Sequence, residues 1–146
     1  MGTDNGTAAA RIAITLGRDF KEIDAARARI REFCEKLFMG QGQRSSLDDF
    51  YLAITEAMNN AVEHSGANAI EIIVTAAEAE VMFTMITPGT RFDPTAKSEM
   101  PDLDSTEGLP EGGFGLAMIQ ELMDSVAYEY REGCNIFTLK KTIRSR

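Results

Sequence analysis

The sequence predicts one α/β domain folded as a two-layer sandwich, with a mixed, mainly antiparallel sheet covered on one face by three helices. Five short segments alternate apolar and polar residues, which is typical of strands with one buried face. Three longer segments carry apolar residues at helical spacing, with charges between them, which is typical of helices packed on a sheet. These segments follow the order β-α-α-β-β-loop-α-β-β, and 146 residues are enough for one hydrophobic core.

The first half of the chain predicts one strand followed by two helices. The segment RIAITL alternates apolar and polar residues and predicts a short strand. From about Lys21 to Phe38 the apolar residues fall at helical spacing. After the breaker MGQGQ, a second helix is predicted to extend to about His64, where the following SG is a common C-terminal signal.

The second half predicts two strand hairpins separated by a long loop and a helix. The segments IEIIV and VMFTM alternate as strands, and AAEAE between them can turn a hairpin. From Pro88 to Gly113 the periodicity is lost, and five acidic residues lie from Glu99 to Glu111. A segment of this kind inside a compact domain is typical of a functional loop or lid. The segment GFGLAMIQELMD then predicts a helix, and VAYEY and NIFTLKK, joined through REGC, predict the last hairpin.

The overall charge excludes some classes of partner. The formal net charge is -8, whereas nonspecific nucleic-acid binding needs a basic face that neutralises phosphates. The same charge is unfavourable for docking on an anionic membrane. No apolar run approaches the roughly 20 residues of a membrane-spanning helix. We therefore expect neither direct nucleic-acid binding nor a membrane location.

The ends and the cysteines predict the compartment and the domain bounds. The segment MGTDNGTAAA lacks the pattern of a secretory signal, and its small polar residues predict a flexible N-terminus at residues 1–10. Residues 11–146 are then a single domain. Cys34 and Cys134 are far apart and form no CxxC, which favours two free thiols in a reducing cytoplasm over one disulfide.

One stripe of the second predicted helix carries candidate functional residues. Glu56, Asn60 and His64 are four residues apart in TEAMNNAVEHSG and drift by only ~40° per step around a helix. Carboxylate and amide oxygens suit a hard cation such as Mg²⁺, and a carboxylate beside such an ion could also accept a proton. The alternative is a solvated helix flank with a histidine whose hydrogen bonds are satisfied.

Glycines before the third predicted helix are candidates for phosphate binding. Gly112, Gly113 and Gly115 sit just before this helix in EGGFGLAMI. Glycines allow close approach of the backbone, and the N-terminal amides of a helix favour an anion. The alternative is a flexible helix lead-in. A third stretch, MITPGTRFDP, ends a strand, and Gly89 within it fits a sharp departure from the sheet.

The order and spacing of these three segments resemble a known family. The chain is similar to the anti-sigma-factor serine kinases of bacteria, within the GHKL superfamily of gyrase-like and histidine-kinase-like ATP-binding domains. The first box of that family reads E-A-x-x-N-A-x-x-H, and EAMNNAVEH matches every fixed position. The glycine box reads G-G-x-G-L before a helix ending Leu-Met-Asp, and GGFGLAMIQELMD matches throughout. The resemblance covers about residues 10 to 143 and implies the GHKL ATPase fold, with nucleotide between helices and lid.

The resemblance implies roles for individual residues and the cofactors ATP and Mg²⁺. Asn60 is implied to be a Mg²⁺ ligand, and Glu56 the general base that takes the proton of a substrate hydroxyl as the γ-phosphoryl group leaves ATP. His64 is carried over only as part of the motif, with a cap or packing role as an alternative. The glycines at 112, 113 and 115 are implied to lie along the phosphates.

The middle box of the family is changed in this chain. It normally reads D-x-G, and its Asp accepts a hydrogen bond from the adenine amino group. The corresponding residues are Thr87, Pro88 and Gly89, so a threonine replaces the carboxylate that recognises adenine. The predicted lid also has few cations, with Lys97 inside it and Arg91 nearer the strand.

Three functions follow as hypotheses from the resemblance. The first is a cytoplasmic serine/threonine-protein kinase that sequesters a sigma factor, phosphorylates a Ser or Thr of a STAS-type antagonist protein and forms a homodimer. The second is a partner-binding module of the same fold that has lost catalysis, which the threonine at position 87 favours. The third is a detached ATPase domain of a histidine kinase, which is disfavoured because no dimerising helix with a phosphorylatable histidine precedes the domain.

Overall fold

A computed structural model describes residues 10–38, 44–91 and 111–143 of the chain. Within these ranges the elements follow the predicted order of strands and helices. They are β1 (Ala10–Leu16), α1 (Lys21–Phe38), α2 (Arg44–His64), β2 (Ile70–Ala77), β3 (Glu80–Pro88), α3 (Glu111–Leu122), β4 (Ser125–Arg131) and β5 (Cys134–Thr142).

The strands form one five-stranded sheet in the order β1-β2-β3-β5-β4. All the pairings of this sheet are antiparallel. The last strand therefore enters between β3 and β4, and β1 and β4 are the edges. The predicted two-layer sandwich is confirmed, and the structure refines the sheet from mainly antiparallel to wholly antiparallel over the described strands.

One face of the sheet forms the core. In β2 and β3 every second residue is buried, because successive side chains of a strand point to opposite faces. The cross-strand pairs on this face include Ile72 with Met85, Val74 with Phe83, and Phe83 with Leu139. Apolar residues of the helices complete the cluster. They include Ile23, Ile30, Phe50, Ile54, Met58 and Ile119.

The first helix begins where its sequence supplies a cap. The Asp19 carboxylate accepts a hydrogen bond from the Lys21 amide at 2.9 Å, which satisfies one of the amide groups that have no partner within the helix. Glu22 reaches back to accept from the Gly17 amide at 2.7 Å. These two bonds fix the turn between β1 and α1 and so direct the apolar face of α1 onto the sheet.

Several sequence-based boundaries change or fall outside the described ranges. Residues 1–9 and most of the predicted lid, 92–110, lie outside them, whereas Ala10 is already part of β1. The third helix begins at Glu111, so the glycines at 112, 113 and 115 lie inside its first turns rather than before it. This position is compatible with the predicted phosphate binding, because the backbone amides of the first helical turn have no carbonyl partner within the helix.

Both cysteines are free thiols, as the sequence predicts, with Cys34 buried in α1 and Cys134 half-buried at the start of β5. Burial raises the pKa of Cys34 to about 12, and it also raises the pKa of Tyr51. Among the described helices, none combines the length and the apolar composition needed to cross a membrane.

Candidate functional site

The second helix presents the first predicted group of site residues. Ala53, Ala57 and Ala61 are buried on one side of α2. Glu56 and Asn60 lie on the neighbouring flank and are half-buried. Small buried residues let the helix backbone approach its neighbours closely, and the flank is therefore partly covered without being closed to solvent. The two polar side chains are accessible to a ligand and partly removed from water.

His64 lies at the exposed end of the stripe. It is the last residue of α2, and its Nε2 is 3.6 Å from a carboxylate oxygen of Glu63. Both side chains are more than two-fifths exposed, so the pair is an ordinary surface contact. Of the roles expected for His64, a cap at the end of α2 fits this exposed location better than packing or direct contact with a ligand.

The glycine segment lies on a helix that packs against α2. Helix α3 contacts α2 more extensively than it contacts the strand that follows it. Ala117 and Ile119 are buried in α3. The fold therefore brings the two motifs, more than 50 residues apart in the sequence, onto adjacent helices. An anion at the first turn of α3 would meet free amides and the positive end of the helix dipole.

The other end of α3 is fixed by a lysine that sequence analysis did not single out. The Lys141 ammonium donates a hydrogen bond to the Leu122 carbonyl, at the last residue of α3, at a distance of 2.6 Å. It is also 3.7 Å from an Asp49 carboxylate oxygen, and its side chain is only 13% exposed. A positive charge at this position interacts favourably with the negative, C-terminal end of the helix dipole.

The third predicted motif lies at the end of β3, on the helix-covered face of the sheet. Thr87 is buried and pairs across the strands with Asn135 of β5. Gly89 follows directly after β3 with a φ of +134°, a conformation that L side chains rarely adopt. The predicted departure from the sheet at Gly89 is therefore present.

Three further residues at this end of the sheet were missed by sequence analysis. Asn135 donates hydrogen bonds to the Thr87 carbonyl at 3.3 Å and to the Thr90 carbonyl at 3.0 Å. It accepts one from the Tyr128 hydroxyl at 2.6 Å. The Tyr130 hydroxyl donates to the Gly89 carbonyl at 3.0 Å. One signal in the sequence could have indicated Asn135. It lies in the predicted strand NIFTLKK, and asparagine is depleted in strands.

Helix α2 carries oxygen donors of the kind that Mg²⁺ prefers. Within the described ranges no group of three or more His, Cys, Asp or Glu side chains could hold a metal ion by itself. Mg²⁺ in nucleotide sites needs fewer, because one or two protein oxygens and the substrate phosphates complete its shell together with water. Glu56 and Asn60 supply hard oxygen donors of that kind on one half-buried flank. The residues fit a Mg²⁺ that arrives with a nucleotide.

Comparison with known proteins identifies the family. Residues 19–141 match the histidine kinase-like ATPase domain. The chain belongs to this family. It is similar to the serine-protein kinase RsbW of Staphylococcus aureus strain MSSA476, with 32% identity over 103 residues, covering 64% of this chain and 65% of the relative. It is also similar to the serine/threonine-protein kinase BtrW of Bordetella bronchiseptica, with 30% identity over 92 residues, covering 60% of this chain and 65% of the relative.

Solved structures support the histidine kinase-like ATPase fold. The crystal structure of the RsbU and RsbW domains of Rv1364c from Mycobacterium tuberculosis matches with a TM-score of 0.64 and 23% identity, over 94% of this chain and 34% of that one. The Acinetobacter baumannii histidine kinase AdeS matches with a TM-score of 0.52 and 12% identity, over 92% of this chain and 68% of that one. At these identities the likeness concerns the fold alone.

Proposed function

We propose that this histidine kinase-like ATPase domain is an anti-sigma regulatory factor that binds ATP and phosphorylates a protein hydroxyl. The observation that carries the proposal is the juxtaposition of two helices. Helix α2 presents Glu56 and Asn60 on a half-buried flank, and α3 packs against it with glycines in its first turns. A carboxylate, an amide oxygen and free helix amides together suit the phosphates and the Mg²⁺ of a nucleotide.

The proposed roles of the residues follow from their chemistry. Asn60 would hold Mg²⁺ through its side-chain oxygen, and the ion would supply neutralisation of phosphate charge. The amides at the start of α3 would bind phosphate oxygens. Glu56 would accept the proton of a substrate hydroxyl as that oxygen bonds to the γ-phosphorus and the bond to the leaving ADP oxygen breaks. Such a transfer depends mostly on positioning and charge neutralisation, which these groups provide.

The proposed partners are a sigma factor and a STAS-type antagonist protein whose Ser or Thr receives the phosphoryl group. The protein would act in the cytoplasm as a homodimer. Support comes from the names of the similar proteins, which are serine- and serine/threonine-protein kinases. The alignments span 65% of the length of those two relatives. A kinase activity of this chain is therefore a proposal.

A single substitution tests the catalytic proposal. In Glu56→Gln the amide cannot accept the proton, so phosphoryl transfer from labelled ATP to the antagonist should fall by roughly 10²-fold or more. Binding of Mg-ATP, measured by calorimetry, should be retained. The matched control is Glu63→Gln, in the exposed last turn of α2, which should leave transfer unchanged. Unchanged transfer in Glu56→Gln would remove Glu56 from the mechanism.

The alternative function is a module that sequesters a partner without catalysis. It is favoured by one observation, the threonine at position 87, where the family carries the adenine-binding carboxylate. The two functions differ in the wild-type protein. The kinase transfers labelled phosphate to its antagonist, whereas the module binds the sigma factor equally well with and without nucleotide and transfers none.

A further inference from the structure

Two buried polar side chains face each other at the end of the sheet. Among the described residues, Thr87 and Asn135 are the buried polar or charged ones, with 7% and 8% of their surface exposed. They are paired across β3 and β5, and the side chains of such a pair lie on the same face. A buried amide is unfavourable unless it is hydrogen-bonded, so its partners indicate what it holds in place.

The partners of Asn135 fix the orientation of its amide. The nitrogen donates to two carbonyl oxygens, of Thr87 and Thr90, and the oxygen accepts from the Tyr128 hydroxyl. Exchanging the nitrogen and oxygen would place an acceptor against two carbonyl oxygens. The network therefore ties the last residues of β3 and the turn after it to the β4–β5 hairpin.

The same turn has a second, independent attachment. The Gly89 amide donates to the Gly133 carbonyl at 3.0 Å, and the Tyr130 hydroxyl donates to the Gly89 carbonyl. The turn therefore stays on the hairpin when Asn135 is changed. The bonds of Asn135 itself act on the carbonyls of Thr87 and Thr90, and its side chain shares a face of the sheet with that of Thr87.

We propose that Asn135, oriented by Tyr128, is a positioning residue that sets how tightly the site binds the base of its nucleotide. The inference rests on the proposed function, in which the Thr87–Gly89 motif faces that base. A shifted turn would weaken the fit of the base without changing Glu56 or Asn60. The expected signature is a higher KM for ATP with an unchanged kcat at saturating ATP.

Two substitutions test this role without changing the size of the side chain appreciably. Asn135→Asp replaces the donating amide nitrogen by a carboxylate oxygen against two carbonyls, and Tyr128→Phe removes only the hydroxyl that orients the amide. We expect the Kd and KM for Mg-ATP to rise about tenfold in Asn135→Asp and about threefold in Tyr128→Phe. The kcat for transfer to the antagonist should stay within about twofold. The control is Thr138→Val, on the opposite face of β5, which should change neither quantity.

The outcomes separate this inference from the proposed function. If wild type binds Mg-ATP and both variants bind it with the wild-type Kd, Asn135 has only a structural role and the inference is overturned. If kcat falls with KM unchanged, the network acts on the chemical step and the inference is also overturned. If wild type itself binds no nucleotide, the proposed function and the inference about Asn135 both fail. Urea unfolding of each variant confirms that the binding is measured on folded protein.

Discussion

A carboxylate restored at position 87 should strengthen and sharpen nucleotide binding. The amino group of adenine is a hydrogen-bond donor, and guanine carries an acceptor oxygen in the same place. A carboxylate accepts strongly from the first and repels the second, whereas a threonine hydroxyl can donate or accept. We therefore expect wild type to bind ATP weakly and to favour it only slightly over GTP, and Thr87→Asp to gain in both respects.

The magnitude follows from the hydrogen bond and from burial. A charge-assisted bond contributes about 1.5–3 kcal/mol and a neutral one about 1, so the gain for ATP is roughly tenfold in Kd. Thr87 is only 7% exposed, so the new carboxylate loses hydration in the unliganded protein. We expect this to lower the free energy of unfolding without nucleotide by roughly 2 kcal/mol, and saturating ATP to restore part of it.

The assay is calorimetry with ATP and with GTP on wild type and Thr87→Asp, together with urea unfolding in the presence and absence of ATP. The matched control is Thr84→Asp, which adds the same charge to β3 on the face without helices. The control should leave both nucleotide affinities unchanged. A gain seen in both variants would point to a general effect of charge rather than to a contact with the base.

Two results would refute the reasoning. Tight, adenine-selective binding by wild type would show that the adenine contact lies elsewhere and that Thr87 is not a defect. An absence of binding by either protein would favour the non-catalytic module. A wild-type Kd equal to that of Thr87→Asp would show that a water or a neighbouring backbone group accepts the hydrogen bond from adenine in wild type.

Two further predictions concern stability and thiol chemistry. Lys141→Met keeps the buried stem but leaves the Leu122 carbonyl without its donor, and should lower the free energy of unfolding in urea by about 1–3 kcal/mol. The control, Lys140→Met, should lower it by under about 0.5 kcal/mol. Equal losses in the two variants would contradict the anchoring role of Lys141. A thiol reagent at pH 8 should label the half-buried Cys134 readily. It should label Cys34, with its pKa raised to about 12, only on unfolding, because roughly 10³-fold less thiolate is present than at an ordinary cysteine. Rapid labelling of both thiols in the folded protein would contradict the burial of Cys34.

Local periodicity predicted the helices and strands of this fold, whereas contacts between residues far apart in the sequence could not be predicted. The alternation in IEIIV and VMFTM and the helical spacing in α1 and α2 reflect which side chains face the core, and the structure confirms each. The position of β5 between β3 and β4 depends on hairpin and crossover geometry that no local pattern records. The glycines at 112, 113 and 115 were expected just before the third helix, whereas they lie inside it, because glycine lowers helix propensity without excluding a helix.

The candidate site divides in the same way. Glu56 and Asn60 were predictable because helical spacing alone places them on one stripe. The network around Asn135 was not, because its contacts join residues 45 and 48 positions apart and depend on strand register. Register itself follows from which face of each strand is buried. Without the sheet in view, Asn135 is one polar residue in an apolar strand.

Helix α3 connects the stability of the fold to the proposed phosphate site. Its C-terminal end is fixed by the bond from Lys141 to the Leu122 carbonyl. Two residues further on, the Asp124 amide donates to the Lys140 carbonyl and the Asp124 carboxylate accepts from the Thr142 amide. Its N-terminal turn lies about 16 Å away at 1.5 Å per residue, among the glycines proposed to bind phosphates. A rigid helix anchored at one end transmits any tilt to the other, so Lys141→Met should weaken ATP binding as well as the fold. A variant that loses stability but keeps its Kd for ATP would show that packing against α2 alone positions the phosphate end.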